Sequence, residues 1–229
     1  MPPRAEASDR AESTHAAGAY ETLRARILGN DYAPGQSVSV AALALELGMS
    51  RTPLRDALIR LEGERLVELV PRYGFRVLPV APGEMREIYE VLAGLELVAV
   101  ALLIARGPTA ADEAALEQAG ARLQRTLEAG DLDAWAEADT DFHDLLLRLG
   151  GNARLAATAT ELLQQTRRAR AITLRLRPLP RHSTQSHRAL ITAILRRDGP
   201  RARELHLEQR LRSARELTEI LERLNIRHL

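Results

Sequence analysis

The residues best equipped for chemistry lie in the second half of the chain, in Asp139-Thr140-Asp141-Phe142-His143. Asp139 and His143 are four positions apart, so on a helix a carboxylate and an imidazole share one face. His187 follows in the segment QSHRALITAI, whose apolar stripe of Leu190, Ile191 and Ile194 marks an inner side. His206 lies on a last long segment, where Leu205 and Leu211 help form the apolar side. One carboxylate and three imidazoles suit zinc, nickel or manganese, with a position left for water or a carboxylate ligand. The same residues also read as a simple helix pair and as hydrogen-bonded core histidines, and spacing alone leaves both readings open.

A second constellation lies near the N-terminus. Ser50 is placed to cap a helix that begins Arg51-Thr52-Pro53-Leu54-Arg55, with the proline in the first turn where it is tolerated. Arg51 and Arg55 then project from one face, with Thr52 beside them. Arginine can give guanine two hydrogen bonds, threonine can meet a thymine methyl or a phosphate, and the helix N-terminus itself attracts phosphate. Downstream, Arg72-Tyr73-Gly74 sits in a turn between two β-prone runs, Leu66–Val70 and Phe75–Val80. Arg72 could reach into a minor groove there, and Gly74 would allow close approach. The bland alternative is a solvated face, since all 32 basic residues are arginine.

The elements that must position these groups follow from periodicity and punctuation. Apolar residues make up 45% of the chain and charged ones 28%, the balance of a globular protein rich in the helix formers Ala, Leu and Arg. A short helix over 19–28 precedes one opened by Ser39 and closed by Gly48, then the helix after Ser50, then the hairpin. That is the order of a winged helix-turn-helix. Beyond Pro79 and Pro82, helices are expected near 83–106, 109–129, 131–149, 152–177, 184–197 and 200–224, with Asp131 as an N-cap. The fold class is therefore mainly α: a winged helix-turn-helix over 18–79 and an all-α bundle of six or seven helices over 83–225. Residues 1–17 read as a disordered extension. Any signal between the two halves must pass the linker at Pro79–Pro82.

Composition excludes several classes. With no cysteine there is no disulfide, zinc–thiolate site or thiol nucleophile. The N-terminus lacks the apolar core of a signal peptide, and the longest apolar run, around Leu95 to Ala105, is broken by Glu96 and reads as a buried helix, not a membrane span. A cytoplasmic location with no membrane partner is expected. Net charge is only +1, so DNA binding rests on where the arginines sit.

Residues 20–79 resemble the GntR-type regulators nearly position by position. The marks are the opening Tyr-x-x-Leu-Arg, the Pro-Gly before the second helix, and Ser-Arg-Thr-Pro-Leu-Arg-Asp-Ala-Leu. The resemblance implies operator contacts from Ser50, Arg51, Thr52, Arg55, Arg72 and Gly74, and a homodimer on a short palindromic site. Some relatives read bases with an arginine in the second helix, where this chain has Val40-Ala41-Ala42, so readout should lean on the third helix. Residues 83–215 resemble the FCD sensor domain of the FadR subfamily, through EIYEVLAGLE, Asp-x-x-Phe-His, Gly151-Asn152 and Ser-His-Arg-Ala-Leu. That resemblance implies a divalent metal on Asp139, His143 and His187, in a pocket that takes an organic acid.

Two departures stand out against the family pattern. Its fourth ligand falls at Gln209, one turn after His206, so either His206 or Gln209 with water completes the site. Its carboxylate-binding arginine falls at Ala93 or Leu92, leaving an acidic effector to the metal, to Arg148 or to the cluster Arg167, Arg168 and Arg170. The expected function is a DNA-binding regulator, by default a repressor, controlled by a small molecule such as a carboxylate. The rivals are a metal-free helical module for oligomerisation or a less polar ligand, and, remotely, a metal-dependent hydrolase, which would need a general base the sequence does not offer beside the ligands.

Overall fold

The computed structural model describes residues 18–223 except Asn30, Arg65 and Val80; the side chains of Arg168, Ala171 and Ile172 are also outside the description. The extension over 1–17 therefore lies outside the described residues. The chain divides into two compact units, meeting at Val80 and Ala81.

The first unit holds α1 (residues 18–28), β1 (Ser37–Ser39), α2 (Val40–Leu47), α3 (Arg51–Gly63), β2 (Val67–Val70) and β3 (Gly74–Val77). Ser39 caps α2 by accepting from the Ala42 amide, and Gly48 ends it in the left-handed region at φ 63. That turn lets α3 cross α2 over a core of Leu43, Leu54, Leu58 and Leu61, all fully buried with Leu23, Ile27 and Phe75. Ser50 has the extended backbone of an N-cap, but its side chain makes no capping bond.

The sheet has three strands in the order β1-β3-β2, both pairs antiparallel, where the sequence suggested two. Gly74 is opposite Ser39 on one side and Val70 on the other. A Cβ at Gly74 would lie 2.0 Å from the Val38 carbonyl oxygen and 2.8 Å from the Ser39 Cα. Its bare backbone is thus needed for the approach of β1.

The second unit consists of α4 (Pro82–Arg106), α5 (Ala110–Glu128), α6 (Leu132–Leu149), α7 (Ala153–Leu174), α8 (Arg181–Leu195) and α9 (Gly199–Arg223). Asp131 caps α6 as expected, accepting from Ala134, while Thr109 and Asp112 form a reciprocal capping box on α5 and Asn152 accepts from Leu155. Helix α4 packs against α9, α6 and α7, while α5 lies on α6 and α8. Leu103, Leu116, Leu123, Phe142, Leu146 and Ile194 fill the core between them.

Helix α4 is 25 residues long, and an 18-residue window in it reaches a mean hydropathy of 2.2. By length and composition alone it could cross a membrane, a test the core helix of a bundle also passes. It carries a fully buried Glu96 at mid-length, paired to α9, and this suits the central helix of a bundle. Helix α7 ends at Leu174, three residues before the expected boundary, because Pro178 keeps Arg177 out of helical geometry. Residues 175–180 become a turn, and α8 begins three residues early at Arg181.

Candidate functional site

In the first unit, Arg51, Thr52 and Arg55 are exposed on the opening turns of α3. Arg51, Arg55 and Ile59 form one side of a groove of about 440 Å³, and Pro71, Arg72, Tyr73 and Gly74 of the wing form another. Of the residues singled out in the sequence, Arg51, Arg55, Arg72 and Gly74 are therefore brought to one surface, while Ser50 and Thr52 are not part of that lining. Arg72 holds a left-handed backbone at φ 65, which costs a non-glycine residue on the order of 1 kcal/mol. That conformation sits at the wing tip, between the two strands that support it.

In the second unit, α6 and α8 bring the carboxylate and two of the histidines together. Asp139 Oδ1 lies 3.3 Å from His187 Nε2 and 3.9 Å from His143 Nε2, and the two imidazole nitrogens are 3.4 Å apart. All three side chains are buried. Phe142 presses edge-on against both rings, with centroids at 5.5 and 4.5 Å, and fixes their planes. His187 Nδ1 donates to the Ser183 carbonyl at 2.6 Å, so its Nε2 keeps a lone pair facing the other two groups.

Burial pushes His187 down to about 3 against the pull of Asp139. Burial and the Arg210 charge likewise lower His143 despite Glu96. Burial alone would raise Asp139, yet Arg170 and the histidines hold it well below the usual carboxylate range. Two neutral imidazoles and one carboxylate are the protonation states a divalent metal requires. An ion about 2.0–2.2 Å from such donors holds them roughly 3.0–3.5 Å apart. Asp139 Oδ1 has no hydrogen-bond partner although buried, so the donor set fits a cation.

His206 stands outside this trio. It is buried, but its Nε2 donates to Glu96 Oε2 at 2.9 Å, and its ring centroid is 6.1 Å from that of His143. Glu96 Oε1 lies 3.4 Å from His143 Nδ1, so one carboxylate stands behind two imidazoles. Arg210 grips both oxygens of Glu96, and Arg170 binds Asp139 Oδ2. Gln209 is buried, with its amide 3.5 Å from the Ser213 hydroxyl.

A pocket of about 120 Å³ opens beside Asp139, lined by Tyr89, Trp135, Arg170, Arg177, Gln209 and Arg210 among others. Trp135 donates its indole N–H to the Thr184 hydroxyl at 2.9 Å. Arg148 is exposed on the last turn of α6 and does not line this pocket. Arg170 alone of the expected cluster lines it: Arg167 does not, and the Arg168 side chain is outside the described residues. Ala93 and Leu92 are buried on α4. Sequence reasoning missed Glu96, Arg177 and Arg210. The one available hint for Glu96 and Arg210 is a lone acid in an apolar helix and an arginine one turn after His206.

A winged helix-turn-helix with an arginine-bearing third helix, followed by a helical unit with a buried pocket, defines the class of DNA-binding regulators. Residues 15–77 match the family described as bacterial regulatory proteins, gntR family, and residues 87–209 match the FCD domain. The chain is 31% identical over 195 residues to the HTH-type transcriptional repressor GlaR of Escherichia coli K12, covering 81% of this chain and 88% of that one. It is 37% identical over 131 residues to an HTH-type regulator from the TAR-I ttuE-ttuC' intergenic region of Agrobacterium vitis, covering 56% and 77%. Among solved structures, E. coli McbR/YncC has the same fold, with a TM-score of 0.75 at 23% identity, covering 90% and 98%. The protein belongs to the GntR family and carries an FCD domain; it is a transcriptional regulator that binds DNA, not an enzyme.

Proposed function

We propose that the protein is a homodimeric, cytoplasmic repressor of the FadR subfamily, whose hold on a palindromic operator is set by a small organic acid bound beside a divalent metal. In this reading residues 18–79 read the operator and residues 83–225 sense the effector and dimerise. Arg51 and Arg55 address bases, while Ser50, Thr52 and the amides of the first turn of α3 meet phosphate. Arg72 enters the minor groove, and Gly74 keeps the wing in place behind it. The name of GlaR, a repressor, supports the sign of regulation. The exposed apolar stripe of α4, with Val91, Val98 and Leu102 at 52, 48 and 40% exposure, supports a second copy as the dimer partner.

The single observation that carries the sensing half is the trio Asp139, His143 and His187, with an orphaned carboxylate oxygen aimed at two neutral imidazole nitrogens. A bound zinc, nickel or manganese would supply a Lewis-acidic position for one carboxylate of the effector. Asp139 and the two histidines would hold it, while the Ser183 carbonyl orients the His187 ring and Phe142 packs edge-on against both imidazoles. The effector regulates only through a difference in its affinity for the DNA-competent and DNA-incompetent states.

Elemental analysis of protein purified without chelator tests this. About one metal per chain is expected, lost in His143→Ala, with DNA binding by selected operator fragments retained. Arg55→Ala should weaken that DNA binding by about 1–3 kcal/mol while leaving the metal in place. A second reading is favoured by the Arg170–Asp139 and His206–Glu96 bonds, which already engage two of the expected ligands: a metal-free cluster in a ligand-binding or oligomerisation module. A wild-type protein that takes up no metal when offered it would establish that second reading.

A further inference from the structure

The pocket beside Asp139 contains three arginines, and their partners differ. Arg210 is held by Glu96, and Arg170 by Asp139. Among the described residues, Arg177 bonds the Thr173 hydroxyl, through Nε at 3.1 Å and Nη2 at 2.7 Å. Among the described residues no carboxylate comes within ion-pair distance of it. Glu216, the other acid on the pocket wall, pairs with Arg212 at 3.6 Å. Among the described residues, Arg177 is thus the arginine of the pocket without an ion-pair partner. Burial pulls its pKa below the ordinary arginine value, which marks the cost of keeping that charge from water. A cation placed merely to complement the end of α7 would gain its small benefit fully solvated. This one is turned into a cavity by the segment Arg175–Pro180, which the proline at 178 excludes from the helix.

We propose that Arg177 is the docking group for an oxyanion of the effector, a carboxylate or phosphoryl group, in the pocket that Asp139 also lines. The inference rests on the sensing role proposed for this unit and deepens it by giving the ligand a second anionic end. At about 120 Å³ the pocket is well below the several hundred Å³ that hold drug-sized ligands, so the effector is a compound of a few carbons. One end of the ligand lies toward Asp139, which lines the same pocket, and the other meets the planar guanidinium, whose geometry matches an oxyanion with two hydrogen bonds.

The test is calorimetric titration of the full-length chain with succinate, phosphonopropionate and the single-anion reference propionate. The wild-type protein should bind one of the two-ended probes about tenfold or more tighter than propionate. Which probe it prefers identifies the oxyanion. Arg177→Gln should erase that preference with propionate affinity, metal content and melting temperature unchanged, and Arg177→Lys should keep part of it. A preference that survives Arg177→Gln, or a wild-type protein with none, overturns the proposal. So does an absence of binding by all three probes at millimolar concentration. The wider sensing role is judged separately, by metal content and operator release in His143→Ala.

Discussion

Glu96 is the residue on which the second unit turns. It is fully buried in the most apolar helix of the chain, gripped by Arg210 and bonded to His206. Burial alone would raise its pKa, but Arg210 and the two histidines hold it well below the usual carboxylate range, so it stays charged. Removing one partner strands a buried charge on the other. Glu96→Gln is therefore expected to cost about 3–5 kcal/mol in denaturant unfolding, whereas Glu96→Met combined with Arg210→Met recovers most of that loss. A double variant no more stable than the single one would show that the pair contributes through something other than charge compensation. The sequence made Asp139 and His143 legible because four-residue spacing is a local property of one helix. The Glu96–Arg210 pair spans 114 positions, and one arginine among 32 carries no mark of which acid it will meet. Arg177 was hidden for another reason: its role depends on α7 ending at Leu174, a boundary set by Pro178 three residues inside the expected helix.

At the scale of elements, the wing shows how a small substitution can act through backbone. Gly74 lies between β1 and β2, with the Val38 carbonyl oxygen where a methyl group would go. Gly74→Ala should separate β1 from β3, destabilise the first unit by about 1–3 kcal/mol, and lower operator affinity through the displaced wing. Melting and DNA titration of this variant check it, and an unaltered melting temperature would contradict the packing argument. The helices were legible in the sequence, since the caps Ser39 and Asp131 and the glycine at 48 stand where their physics places them. Strand β1 was not: Ser37-Val38-Ser39 is too short to alternate, and its pairing with β3 exists only once the hairpin has folded.

At the scale of the whole molecule, α4 carries two faces with different tasks. One buries Leu92, Glu96, Val100 and Leu103, while the other leaves Val91, Val98 and Leu102 exposed along the same helix. If that outer face joins two copies, Val98→Glu should give monomers by sedimentation. Affinity for a two-half-site operator would then fall roughly a hundredfold, because the second head no longer binds within one assembly. Single half-sites would be unaffected. Trp135, the only tryptophan in the chain, is held in the pocket wall by its bond to Thr184. The protein's indole fluorescence therefore originates entirely at the place where an effector is expected, and an unlabelled sample carries its own optical gauge of occupancy.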